Sequence, residues 1–171
     1  IASIMIGIGQ GFTPVSGYNY GAKRYDRVKK AYWFTVGCGL CVLGVLSVTC
    51  FAFAPKLIAS FIKDPEVIKV GIVALRWQVA VLPLHPLIVG TNMLMQSTRH
   101  VKQATFLSMN RQGVYFIPAI LILPAIFGLT GVEISQAVAD FLSVLTAIPY
   151  AIWFFRKMNR LEKEQLAVEK D

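Results

Sequence analysis

The sequence predicts an all-α protein, a polytopic membrane helical bundle. Three observations predict it. The 171 residues are 56% hydrophobic with a mean hydropathy of +0.59, more apolar surface than a soluble domain of this size can bury. Four uncharged or nearly uncharged runs reach the roughly 20 residues that cross a bilayer core. The basic residues, which bring the net charge to +8, sit between those runs and not along one face. That pattern fits positive-inside topology and excludes nucleic acid as a partner. The lipid bilayer is the expected surrounding.

Residues 1–13 read as the end of a transmembrane helix. The chain opens on Ile1 inside an apolar run with no basic n-region, so it is no signal peptide. We read it as the C-terminal part of a longer protein. Gly7, Gly9 and Gly11 have no preceding strand and so make no dinucleotide fingerprint; they are expected to let helices approach closely. Residues 14–30 read as a basic cytoplasmic loop, with Lys23, Arg24, Arg27, Lys29 and Lys30 after a helix-breaking cluster that includes Pro14 and Asn19.

Residues 31–54 carry no formal charge over 24 positions and form the first complete span. Gly37, Cys41, Gly44 and Ser47 share one face, a small-residue seam for helix packing. Cys38 and Cys41 have metal-like spacing without histidine partners and read as small apolar residues. Residues 55–66 read as an external amphipathic segment, with Leu57, Ile58, Phe61 and Ile62 on its apolar side. Asp64, Pro65 and Glu66 then restart a helix as N-cap, first turn and dipole partner.

Residues 67–98 form the second span, interrupted by Pro83 and Pro86 with His85 between them. Carbonyls freed by proline are tolerated in a bilayer only where they face protein or water. Residues 103–127 form the third span, with Arg111, Pro118 and Pro124. Residues 132–156 form the fourth, with Asp140 inside. Residues 157–171 make a charged, helix-prone cytoplasmic tail. Of the 17 lysines and arginines, twelve fall on the side of residues 23–30 and the tail, three fall on the other side, and Arg76 and Arg111 lie within or beside the spans. The twelve-residue side is therefore cytoplasmic.

Asp140 is the sharpest functional candidate. A carboxylate at mid-helix costs about 2.5–3.5 kcal/mol on insertion, which surrounding apolar residues offset at about 0.3–0.6 each. It should therefore face the bundle. Gln136, Asp140, Ser143, Ala147 and Tyr150 share one side of the helix; Ile134, Val138, Phe141, Leu145, Ile148 and Ile152 lie opposite. An intramembrane acid on a polar stripe is a candidate proton or cation site, the alternative being a structural hydrogen-bond anchor. His85 reads either as a group that titrates near neutral pH, and so joins the candidates, or as a packing and hydrogen-bonding residue. By depth, Arg76 is the expected partner of Asp140, whereas Arg111, counted as eight residues into a helix rising from the cytoplasm, falls short and is expected to snorkel or brace that half. Met93 and Met95 suit an adaptable apolar pocket.

Several short motifs occur in order: Gln10-Gly11-Phe12-Thr13-Pro14-Val15, Asn19-Tyr20-Gly21-Ala22-Lys23, Tyr25-Asp26-Arg27-Val28-Lys29, Asp64-Pro65-Glu66 with Ala74-Leu75-Arg76, Gln96-Ser97-Thr98-Arg99, Arg111-Gln112 with Ile117-Pro118, and Gly128-Leu129-Thr130-Gly131-Val132. With these the chain, to about Met158, resembles the C-terminal half of multidrug and toxic compound extrusion (MATE) efflux transporters. The resemblance implies part of a six-helix lobe, namely the end of helix eight and helices nine to twelve. It also implies an N-terminal lobe as partner, a multi-pass place in the plasma membrane, and export of cationic or amphipathic small-molecule drugs by antiport with Na⁺ or H⁺, with no other cofactor. Some members carry an acid in the tenth helix; here residues 84–90 offer only His85. Asp140, Gln136, Ser143, Tyr150, His85 and Arg76 are the expected substrate or ion contacts. A lipid-linked saccharide flippase would need more basic residues in its cavity than Arg76 and Arg111. A non-transporting scaffold gains little from a buried acid, and no nucleophile–base pair or metal spacing points to an enzyme.

Overall fold

The computed structural model describes residues 2–61 and 65–168. All its elements are helical: α1 (Ala2–Gly21), α2 (Tyr25–Phe61), α3 (Pro65–Val81), a 3₁₀ turn (Leu82–Leu84), α4 (His85–Ser97), α5 (Val101–Met109), a π-helical segment (Asn110–Tyr115), α6 (Phe116–Phe127) and α7 (Leu129–Val168). Four stretches are long and apolar enough to cross a membrane: Tyr25–Ile58, Ile68–Ser97, Val101–Phe127 and Leu129–Ala167. Many large apolar side chains on them point outward, among them Phe34, Val48, Leu121 and Ile126, as a hydrocarbon surrounding requires.

Two expected interruptions are absent. Helix α1 continues through Pro14 to Gly21, so the connection to α2 is only Ala22–Arg24 and not residues 14–30. Pro14 leaves one carbonyl in the turn before it without its amide donor, and Thr13 Oγ1 donates to the Gly9 carbonyl at 2.9 Å in that same turn. Helix α2 runs through Pro55 to Phe61, so residues 55–61 continue α2 and do not start a separate segment. Ile62, Lys63 and the proposed N-cap Asp64, like Lys170 of the tail, lie outside the described residues.

The basic connections meet at one end. Lys29 Nζ lies 2.6 Å from Glu162 Oε2, and Lys157 Nζ donates to His100 Nε2 at 2.9 Å. An ammonium only donates, so His100 must carry its proton on Nδ1, which donates to the Thr98 carbonyl at 2.9 Å. The largest buried cluster backs this end, with Phe12, Tyr32, Leu94, Met95, Phe154 and Met158. Isolated polar pairs tie helices together in the apolar interior: Ser16 donates to Ser97 at 2.6 Å, Tyr32 and Thr91 hydroxyls meet at 3.0 Å, and Ser47 donates to the Val79 carbonyl at 2.7 Å.

The proposed seam on α2 does not pack as a unit. Ser47 is buried, but Cys41 is exposed and side chains added at Gly37 or Gly44 would meet nothing within 4 Å. The close approach occurs instead at Gly39, where a Cβ would touch the Pro86 ring at 3.0 Å. At the opposite end, Gly128 turns the chain from α6 to α7 with φ +60°, a left-handed value that favours glycine. A Cβ on Gly131 would collide with the Leu123 carbonyl.

Candidate functional site: a clamped carboxylate

Asp140 lies eleven residues into α7, about 16–17 Å from its first residue. It is fully buried. Three elements converge on it. Arg111 Nε, from the π-helical segment, donates to Oδ1 at 2.8 Å, and Gln136 Nε2 from the preceding turn of α7 donates to the same oxygen at 3.3 Å. Gln78 Nε2, from α3, donates to Oδ2 at 3.1 Å.

His85 completes the group. Arg111 Nη2 lies 2.7 Å from His85 Nε2. A guanidinium has no lone pair to offer, so His85 Nε2 accepts and its ring proton sits on Nδ1. That Nδ1 is buried without a hydrogen-bond partner among the described residues, 4.0 Å from Asp140 Oδ2. The arrangement is a closed triangle in which Arg111 holds both the acid and the imidazole. Moving one proton onto His85 Nε2 would replace the Arg111–His85 bond with two facing cations.

The local fold explains the convergence. Pro83 and Pro86 supply no backbone N–H, and the chain tightens into the 3₁₀ turn that presents His85 at the start of α4. Gln78 and His85 are seven residues apart, two helical turns, and so share a face. Arg76 projects elsewhere: it is exposed, and its guanidinium lies 5.2 Å from the Phe51 ring. The expected Arg76–Asp140 pairing is therefore incorrect, and Arg111 is the partner. Depths counted from opposite membrane edges misplace the two residues relative to each other. Counted from Gly128, Arg111 is seventeen residues back and Asp140 twelve forward. The difference of five is about 7–8 Å, within an arginine's reach.

Two other expected contacts are not brought to the acid. Ser143 is buried but donates to the Ala139 carbonyl of its own helix at 2.7 Å. Tyr150 packs against Phe106 with ring centroids 5.8 Å apart and lines a separate cavity of about 340 Å³ with Gln103, Pro149 and Trp153. Gln78 was missed, although a polar residue two turns before His85 in an apolar run is a readable signal. Met95 is fully buried, whereas Met93 lines a cavity of about 290 Å³ between α4 and the α5–π region.

A family profile described as MatE matches residues 1–122. The chain belongs to the MatE family. It is 28% identical over 147 residues to the multidrug export protein MepA of Staphylococcus aureus (strain N315), covering 85% of this chain and 32% of the relative. It is 24% identical over 163 residues to MepA of Staphylococcus saprophyticus, covering 95% and 36%. The chain thus spans about a third of the length of the curated relatives it matches. Among solved structures, MATE in the bent conformation superposes with a TM-score of 0.85 at 19% identity, covering 93% of this chain and 35% of that one. An inward-facing multidrug resistance MATE transporter of the MOP superfamily gives 0.78 at 22%, covering 93% and 37%. The helical architecture is thus that of about a third of these MATE chains.

Proposed function

We propose that this MatE-family chain forms most of one lobe of a secondary multidrug exporter that exchanges protons for cationic or amphipathic compounds. The observation that carries the reading is the buried Asp140 held by Arg111, with His85 on the same guanidinium. An ionisable cluster near the middle of a membrane bundle is costly, and such clusters mark ion pathways. Proton coupling is favoured over Na⁺ by the donors present. The carboxylate oxygens receive N–H groups from Arg111, Gln78 and Gln136, and a guanidinium stands where a metal cation would need oxygen ligands. His85 offers a place for the incoming proton, and its charging would release Arg111 from the triangle. Rocking of this lobe against a partner lobe would then open the substrate path in turn to each side. The basic end, with residues 23–30, Arg99 and the tail, is assigned to the cytosol of a cell whose plasma membrane the protein spans several times.

The test uses the full-length transporter in proteoliposomes with ethidium as substrate. A proton gradient is expected to drive ethidium transport, and a Na⁺ gradient at equal pH is not. His85→Gln is expected to uncouple transport from the proton gradient while leaving ethidium exchange measurable. Ethidium movement driven by Na⁺ alone, or unchanged proton coupling in His85→Gln, would overturn the coupling assignment.

A further inference from the structure

The outward side of Arg111 faces a cavity that the triangle does not use. Its volume is about 290 Å³, near the lower bound of small-molecule sites. Arg111 spends one N–H on Asp140 and one on His85. Of its five donors, three have no partner among the described residues. Ser108 Oγ accepts from Asn92 Nδ2 at 2.6 Å, which leaves its own hydroxyl proton free to donate. Gln112 lines the same wall and makes no side-chain hydrogen bond among the described residues. The rest of the wall is mixed: Ile88, Val89, Met93 and Leu107 are apolar, and Asn92 and Gln96 are polar. No acid lines the cavity, and Asp140 lies behind Arg111 with no exposed surface.

From this we infer a subsite on this chain for the carboxylate of an amphipathic substrate, with Arg111, Ser108 and Gln112 donating to the carboxylate and the apolar side chains of the wall receiving the adjoining ring or chain. A planar guanidinium with two adjacent free N–H groups matches a carboxylate in geometry and charge. The same wall presents no carboxylate to a substrate's ammonium group, only neutral amide and hydroxyl oxygens. Zwitterions that join a carboxylate to a distant cation therefore fit better than simple cations. Asn92 is a positioning residue: it donates to Ser108 and to the Ala104 carbonyl at 3.1 Å, and accepts from Gln96, so it fixes the hydroxyl that meets the ligand.

The inference rests on the export reading above, and the experiment separates the two. Full-length transporter in proteoliposomes is given a xanthene dye bearing a free carboxylate, the methyl ester of that dye, and ethidium. The carboxylate dye is expected to show a KM at least threefold below its ester. Ser108→Ala and Gln112→Leu leave the Asp140 clamp intact; each is expected to raise KM for the carboxylate dye about threefold or more, with kcat and the ester's KM unchanged. Equal KM values for acid and ester in the unmodified protein, with ethidium still moving, would overturn the subsite and leave the export reading standing. Equal effects of both substitutions on acid and ester would do the same. Failure of all three dyes to move would overturn both.

Discussion

At the scale of single residues, Arg111 and Asp140 depend on each other. Removing one partner of a buried pair costs about 3–5 kcal/mol, because the other charge is left without compensation, whereas replacing both with apolar residues is often neutral. Arg111→Met in the full-length protein should therefore lower thermal stability sharply in detergent. Arg111→Met with Asp140→Leu should recover most of that loss, and proton-driven transport should stay absent. A double variant no more stable than Arg111→Met would refute the pairing as a thermodynamic unit. His100 gives a second prediction. Burial, and then the neighbouring Lys157, hold its pKa below the usual histidine value, while its bond to the Thr98 carbonyl opposes them. The folded state thus binds fewer protons at this site than the unfolded state. Its contribution to stability is complete above about pH 6.5 and declines as pH falls through and below that value. His100→Gln should flatten this decline when unfolding is followed between pH 7 and pH 5. The acid was legible from its place in an apolar run, and so was the direction it faces: Ser143 and Ala147 are buried with it, while Phe141, Leu145 and Ile148 are exposed. Its partner was not legible, because the pairing depends on how α6 and α7 align across Gly128.

At the scale of elements, lengths were readable and interruptions were not. Hydrocarbon-length runs fix where helices form, since a backbone in lipid must satisfy itself internally. Pro14 and Pro55 look like breaks on soluble-protein rules, yet each helix continues past them, because leaving the helix would free many more backbone groups than one proline does. The opposite error occurs at Asn110–Tyr115, where the segment holds no proline of its own and only Pro118, three residues on, hints at the π-helical turns. Such segments are rare and gather at functional sites; here one carries Arg111. Glycines separate in the same way. Gly131→Ala must push against the Leu123 carbonyl, and overpacking of that kind costs about 1–3 kcal/mol. Gly44→Ala meets open space and should leave stability unchanged or slightly raised through helix propensity. Melting curves of the two variants check this; equal stability would show that the α6–α7 turn yields more easily than its geometry suggests.

At the scale of the whole molecule, the sidedness reading yields a plain expectation. Fused to the end of the full-length chain, a green fluorescent protein should fluoresce and an alkaline phosphatase should be silent, since the latter matures only outside the cytosol. The reverse pattern would invert the assignment of every connection. One helix joins the two ends of this picture. Over its 40 residues, about 60 Å at full extension, α7 bears Asp140 at one level and Lys157 and Glu162 at another. Both sets of ties are made by this one helix, with Pro149, which supplies no backbone N–H, between them. A bend at that proline would move the buried charge relative to the basic end.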